Sequence, residues 1–283
     1  MGISLTLLVC VATAIVTLWV FQNTDLREKL IFDPHAILAL KQWYRLFSCA
    51  VIHANGAHLF FNLITIYSFG SAIEFGYGSA VFLLVYALSI LGGSLLSLYI
   101  HRNHAYAALG ASGGGCGVLF AAIFLQPGTG VGMFLLPISI PGPIYAVGFL
   151  IWSFIAMRRR KDNIGHDAHF GGAITGLALA LVFAHENCFA SPVLFSTCLL
   201  ISAVGLYIAV KDPLAITGKF RISREPEYKA NIRYQDYDVA KQRRAEANEV
   251  DRILEKISSK GLDSLSAKEK ALLAIASAKV RKD

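Results

Sequence analysis

The chain is short of charge. Asp, Glu, Lys and Arg make up 16% of its 283 residues and apolar side chains 55%, where a soluble domain carries roughly a quarter charged residues. The shortage is uneven: residues 1–210 are mostly apolar and residues 211–283 mostly polar. That split fits a bilayer-embedded portion followed by a short soluble tail. Paired cysteines are missing too. Cys10, Cys49, Cys116, Cys188 and Cys198 are scattered and form no CxxC. A disulfide framework and a zinc ribbon are thereby excluded, and the five read as small apolar packing residues. The start, Met1-Gly2-Ile3-Ser4, has no basic segment of the kind that opens a cleaved leader, so residues 3–21 are expected to remain as a membrane span. Its match to a loose myristoylation pattern is read as chance, because an adjacent span makes a lipid anchor redundant. No repeat of solenoid period is evident. No span carries a charge near its centre, which argues against a transporter or channel. The basic run Arg158-Arg159-Arg160-Lys161 has no interleaved aromatics, so it reads as a membrane-surface anchor and not as a nucleic-acid contact.

Apolar stretches near the ~20 residues that cross a bilayer occur at 3–21, 57–73, 79–100, 112–126, 141–157, 168–185 and 191–210. The expected fold class is therefore all-α: a polytopic membrane helix bundle with a small helical soluble tail. Residues 22–56 form a long, partly amphipathic connection whose Trp43, Tyr44 and Phe47 suit a membrane interface. Residues 127–140, marked by Pro127, Gly128, Gly130, Gly132 and Pro137, are expected to be a loop. The parts are 1–190, holding six spans, 191–210, a seventh span, 211–246, a flexible linker, and 247–283, a helical hairpin. In the hairpin Val250, Ile253, Leu254 and Ile257 recur at helical spacing, Gly261 can end the helix, and Ser266 with Glu269 forms a capping box. The box opens a second helix bearing Leu272, Leu273 and Ile275.

In this seven-span reading every Lys and Arg falls on one side: positions 27, 29, 41, 45, 102 and 158–161, and the tail. The positive-inside rule makes that side, and the tail, cytoplasmic. A multi-pass protein of a bacterial inner membrane is expected.

Four stretches carry chemistry: Trp43-Tyr44-Arg45, the His53-x4-His58-x3-Asn62 element, Gly110-Ala111-Ser112-Gly113, and Ala168-His169-Phe170-Gly171-Gly172. A serine hydroxyl needs a base to take its proton, and histidine does this near neutral pH. Ser112 and His169 each open a span. Spans separated by one intervening span are parallel, so both residues come to the same depth. Gly113-x3-Gly117 and Gly172-x3-Gly176 put small residues on one face of each helix, which permits close approach. An oxyanion needs donors. Asn62 and His58, at i and i+4 on one helix face, and the Ser112 backbone N–H are the candidates. His53 is placed to tie down the first loop. Asp167, two residues before His169, is expected to point away from it and to act as an N-cap. His35, His101, His104 and His185 lie near span ends and read as interfacial. His166 and His169 are spaced as a metal pair but lack an obvious third ligand, and His53 and His58 have the wrong spacing for a zinc helix. No metal or cofactor is expected.

These stretches, with Gly70-x3-Glu74, resemble the rhomboid intramembrane serine proteases over roughly residues 40–185. The resemblance implies Ser112 as nucleophile, His169 as general base, and His58, Asn62 and the Ser112 N–H as the oxyanion site. It makes residues 1–190 the catalytic domain and maps Arg45 and Glu74 onto structural positions. It implies an endopeptidase that cuts membrane-anchored proteins in or near their transmembrane segments. The alternative is a pseudoprotease that binds membrane helices without cleavage; such members typically lack the serine or the histidine, and this chain has both. Two positions depart from the family. Tyr44 stands directly before the loop arginine where tryptophan is usual. Cys116 stands one turn after the serine where a tyrosine often supports the histidine ring, so Phe120 or another span's aromatic must hold His169. Family members often open the site to the outside, whereas the charge pattern here opens it to the cytoplasm.

Overall fold

The computed structural model describes residues 4–103, 106–132, 139–159, 164–211 and, in the tail, 252, 253, 255–257, 264–266, 269 and 273. The expected linker beyond Lys211, together with His104, Arg160, Lys161, Val250, Leu254, Gly261, Leu272 and Ile275, lies outside the described residues. The chain divides into two compact units, 1–222 and 223–283.

In the first unit the order is α1 (Leu5–Phe21), α2 (Thr24–Leu30), α3 (Pro34–Leu38), α4 (Arg45–Ser48), α5 (Gly56–Tyr77), α6 (Ser79–His101), α7 (Ser112–Leu125), strands β1 (Gly130–Gly132) and β2 (Ser139–Pro141), then α8 (Gly142–Arg159), α9 (His166–Phe183), α10 (His185–Ala190) and α11 (Pro192–Lys211). A helix covers each apolar stretch singled out above, with ends displaced by a few residues. Of these, α5, α6 and α11 are long and apolar enough to cross a membrane, and α1 and α7 are shorter apolar helices. The 14 residues of α7 span only about 21 Å at the α-helical rise, less than a ~30 Å hydrocarbon core.

The bundle is built around α7. Every residue from Gly113 to Leu125 except Cys116 is buried, as expected for a helix apolar on all sides. It packs against α5, α6 and α9. Large apolar side chains on the outer helices face outward, among them Trp19, Phe75 and Val193. A soluble protein rarely exposes so much contiguous apolar surface, so these faces suit lipid.

The 22–56 connection is ordered by local caps. Asn23 Oδ1 accepts the Leu26 N–H and Asp33 Oδ1 the Ala36 N–H. Pro34 sits in the first turn of α3, where its missing N–H costs nothing. Part of the expected 127–140 loop is instead an antiparallel ribbon pairing Gly130 with Pro141 and Gly132 with Ser139. The start of α8 is tied to this ribbon's approach, because the Gly142 N–H donates to the Thr129 carbonyl at 3.0 Å.

Glu74 joins three helices. Its carboxylate accepts from Ser4 Oγ at 2.6 Å, Leu5 N at 2.7 Å, Thr6 N at 2.9 Å and Thr6 Oγ1 at 2.7 Å. It also accepts from Ser79 Oγ at 2.6 Å. A carboxylate there satisfies N-terminal donors of α1 and complements its dipole. One turn earlier, a side chain on Gly70 would collide with Phe82 of α6 and Thr6 of α1, so the three helices meet closely at this end.

In the second unit Ser266 and Glu269 cap reciprocally: the Ser266 N–H donates to Glu269 Oε2 at 2.8 Å and the Glu269 N–H to Ser266 Oγ at 3.3 Å. Arg252 Nη2 and Lys256 Nζ also donate to the Glu269 carboxylate.

Glu74→Ala leaves the α1 donors without an acceptor and should cost about 2 kcal/mol or more. The check is the midpoint of thermal unfolding in detergent, which should fall; an unchanged midpoint would contradict the three-helix role.

Candidate active site

Four successive residues at the start of α9 reach three neighbouring helices, α6, α7 and α8. His166 lies edge-on to Trp152 of α8, ring centroids 4.9 Å apart. Asp167 Oδ2 lies 3.0 Å from His101 Nε2 at the end of α6. The Ala168 carbonyl is where side chains on Gly93 of α6 or Gly113 of α7 would press, at 2.6 and 3.2 Å. His169 Nε2 lies 2.7 Å from Ser112 Oγ at the start of α7.

Glycines set that approach. A side chain on Gly172 would run into the Gly113 backbone and one on Gly176 into the Gly117 backbone; one on Gly117 would meet Ser89 and lie 2.8 Å from the Gly172 carbonyl. The two small-residue faces read from the sequence therefore meet each other. The α6 glycines add a second such contact that the sequence reading missed: a side chain on Gly171 would lie 2.8 Å from the Gly92 carbonyl and 3.0 Å from Gly93 Cα. The signal was the Gly92-Gly93 pair in the third span.

The segment entering Ser112 is held from the first loop. Phe32 and Ala108 exchange backbone hydrogen bonds of 2.9 and 3.2 Å, and the Gly110 N–H donates to the Cys49 carbonyl at 2.9 Å. Gly110 has φ of +125°, a backbone region open to glycine, and a side chain there would strike the His58 ring. His53 Nε2 accepts the Ala111 N–H at 3.2 Å, and its Nδ1 lies 3.0 Å from Thr17 Oγ1. Thr17 spends its own proton on the Val51 carbonyl. His53 must then donate from Nδ1 and accept at Nε2, which assigns the neutral tautomer. Burial, with the His58 ring beside it, holds His53 below the usual imidazole value, at about 4.

Arg45 is buried and donates to the carbonyls of Glu28 and Ile31 at 2.8 and 2.7 Å, and to Gln42 Oε1 at 2.6 Å. It satisfies carbonyls at the end of α2 that have no intrahelical partner. Tyr44, in the place of the usual tryptophan, caps the same helix by donating to the Lys29 carbonyl at 3.0 Å.

His58 and Asn62 lie on the face of α5 turned to α7. The His58 ring is against Gly110, two residues before Ser112, and a side chain on Gly115, three residues after it, would lie 3.9 Å from Asn62 Oδ1. Asn62 Nδ2 donates to the His58 carbonyl at 2.9 Å within its own helix.

Three expectations need correction. Asp167 is not an N-cap: Gly165 holds that position, and the carboxylate is taken by His101 and by the Tyr106 hydroxyl, 3.3 Å from Oδ1. His101 is not interfacial but buried, with its ring stacked on Tyr106. Phe120 does not support His169; it packs on Phe149. Among the described residues His166 lies beside His169, edge-on at 5.7 Å and itself backed by Trp152, so another span's aromatic reaches His169 through a histidine. His35 and His185 are exposed. Among the described residues no group of three or more His, Cys, Asp or Glu is placed to hold a metal ion.

A helical bundle with apolar outer faces thus brings a serine and a histidine together at the meeting of two glycine-lined helices of a membrane-embedded protein. The comparisons with known proteins give the family. The family described as Rhomboid domain matches residues 40–186, and the chain belongs to the rhomboid family. A family of unknown function, DUF6576, matches residues 236–279. The chain is 32% identical over 194 residues to the rhomboid protease GluP of Bacillus subtilis, covering 68% of this chain and 36% of that protein. It is 26% identical over 132 residues to the mitochondrial Rhomboid protein 1 of Saccharomyces cerevisiae, covering 45% and 38%. It is 24% identical over 164 residues to the rhomboid protease AarA of Providencia stuartii, covering 50% and 56%. The chain thus spans little more than a third of the first two relatives.

His53 is neutral in the fold, whereas an unfolded histidine protonates near 6.5. A depressed folded value means that its contribution to stability is complete above about pH 6.5 and is lost as the pH falls towards 4. The unfolding midpoint of the wild type should drop across that window more steeply than that of His53→Gln. Parallel pH profiles would count against the buried neutral imidazole.

Proposed function

We propose that this chain is an intramembrane serine endopeptidase that cuts membrane-anchored proteins in or near their transmembrane segments. The observation that carries the reading is the 2.7 Å separation of His169 Nε2 and Ser112 Oγ, within proton-transfer distance. Ser112 Oγ attacks the scissile carbonyl carbon as its proton passes to His169 Nε2. The oxygen of the tetrahedral intermediate is met by the Ser112 N–H, Asn62 and His58, with Asn62 exchanging its bond to the His58 carbonyl for one to the oxyanion. The first N–H groups of α7 have no intrahelical acceptor, and the helix dipole favours negative charge there. His169 returns the proton to the departing amine as the C–N bond breaks. Water then attacks the acyl-serine, giving a proton to His169, which passes it to Ser112 Oγ as the acyl C–Oγ bond breaks and the carboxyl product leaves. No metal or cofactor takes part.

Substrate helices must unwind locally, because a hydrogen-bonded helix hides its peptide bonds; helix-breaking or small residues near the cut favour cleavage. Residues 1–190 are the catalytic domain, 191–210 an added seventh span, 211–246 a linker and 247–283 a regulatory or adaptor hairpin. The protein lies in a bacterial inner membrane with its tail, and the side to which Ser112 opens, in the cytoplasm. The one-sided distribution of Lys and Arg supports this orientation. The pseudoprotease reading lacks support, since serine and histidine are both present and in contact.

Ser112→Ala should lower cleavage of a model transmembrane substrate by a factor on the order of 10⁶ and abolish fluorophosphonate labelling. A membrane-impermeant fluorophosphonate should label inverted vesicles and spare right-side-out ones. Full turnover in Ser112→Ala would sink the assignment, and labelling of right-side-out vesicles alone would reverse the orientation. Removing residues 215–283 should leave cleavage in detergent largely intact; its loss in a still-folded bundle would make the tail part of the catalytic unit.

A further inference from the structure

The dyad uses neither Asp167 nor its partners, yet they form one largely buried polar cluster next to it. Asp167 occupies the second position of α9, two residues before His169. One oxygen lies 3.0 Å from His101 Nε2 on the last residue of α6, and the other accepts from the Tyr106 hydroxyl at 3.3 Å. Asp167 and His101 are both buried, and Ser97, one turn before His101, stands beside them. The His101 ring lies flat on the Tyr106 ring, 3.5 Å between centroids and 4° from parallel. Phe32 meets Tyr106 edge-on and is bonded through its backbone to Ala108. A side chain on Gly165 would lie 3.3 Å from the Tyr106 hydroxyl, so that hydroxyl sits over the helix start itself.

Three constraints converge here. The segment 106–111 leads directly into Ser112. The first turn of α9 carries His169. Neither α7 nor α9 has a side-chain cap to fix its start. The hydroxyl of Tyr106 spans this gap, joining the segment that delivers the serine to the turn that delivers the histidine, and His101 anchors the same carboxylate to α6. Leaving a buried carboxylate in place while removing its partners is strongly unfavourable, which favours the arrangement in which His101 and Tyr106 both hold it.

We propose that Asp167, held by His101 and Tyr106, is a positioning residue that sets the Ser112–His169 separation. It is not a triad acid: its oxygens are given to α6 and to the 106–111 segment, and it acts through the backbone of the first turn of α9. The inference rests on the proposed Ser112–His169 chemistry, and its test separates the two.

The measurement is the rate and final amplitude of fluorophosphonate labelling of the full chain in detergent, alongside kcat and KM for a model transmembrane substrate. Amplitude counts folded, competent sites; rate reports their geometry. Asp167→Asn should keep the wild-type amplitude, slow labelling at least about tenfold and lower kcat by a similar factor with KM little changed. His101→Asn should do the same, and the double variant should be no slower than the slower single variant, since both break one clasp. A wild-type rate in Asp167→Asn overturns the proposal. So does a reduced amplitude whose remaining fraction reacts at the wild-type rate, which is a packing role alone. Independent, multiplying effects of the two substitutions overturn it as well. If Asp167→Asn does not fold, Tyr106→Phe, which removes one hydroxyl, should still slow labelling several-fold at full amplitude, and an unchanged rate there is decisive against the clasp. A wild-type protein that is not labelled at Ser112 defeats the parent reading and this one together, whereas normal wild-type labelling with indifferent clasp variants defeats this one only.

Discussion

The backbones of α7 and α9 touch because four positions have no side chain. Gly113 faces Gly172 and Gly117 faces Gly176, and a methyl group at either α9 position would have to occupy space held by the backbone of α7. In lipid there is little hydrophobic drive to bring helices together, so association relies on close packing of this kind. The site follows from that contact. Ser112 lies one residue before the first glycine of its face and His169 three before the first of its own, so the pair meets at the mouth of the crossing.

A short central helix makes the crossing useful. With 14 residues, α7 is shorter than α5 with 22 and α6 with 23. Polar groups that would be costly in hydrocarbon collect around its start. They come from the first loop and from the helix ends around it: His53, the 106–111 segment, His101 and Asp167. Each is bonded to another part of the protein. Arg45 serves that loop by holding α2, and Glu74 holds the opposite end of the bundle, where α1, α5 and α6 meet. Polar side chains thus act as pins between elements, and glycines set the distances.

The seven apolar stretches were readable as helices because bilayer-length hydrophobic runs leave few alternatives. The Gly-x3-Gly faces were readable because their spacing fixes a face before any partner is known. Other features depend on tertiary contact. Asp167 has the local signature of a cap, and only the fold brings His101, 66 positions earlier in the chain, against it. Tyr106 lies in a connection with no periodicity to point to its partner. The support of His169 by His166 and Trp152 replaces a contact that the resemblance assigned to one side chain, and nothing in the sequence near Cys116 says where the replacement lies. The ribbon that pairs Gly130–Gly132 with Ser139–Pro141 needed contact between two short pieces of a Gly- and Pro-marked stretch that reads locally as a loop.

The account therefore stands on backbone contact between α7 and α9, and a methyl group is its sharpest probe. Gly172→Ala places a carbon against the Gly113 backbone, whereas Gly148→Ala on α8 places one in open space. The measurement is the fluorophosphonate labelling rate of the folded fraction of each variant. Gly172→Ala should react at least about tenfold more slowly than wild type while Gly148→Ala keeps the wild-type rate; Gly172→Ala reacting at the wild-type rate would show that the glycine contact does not set the distance between serine and histidine.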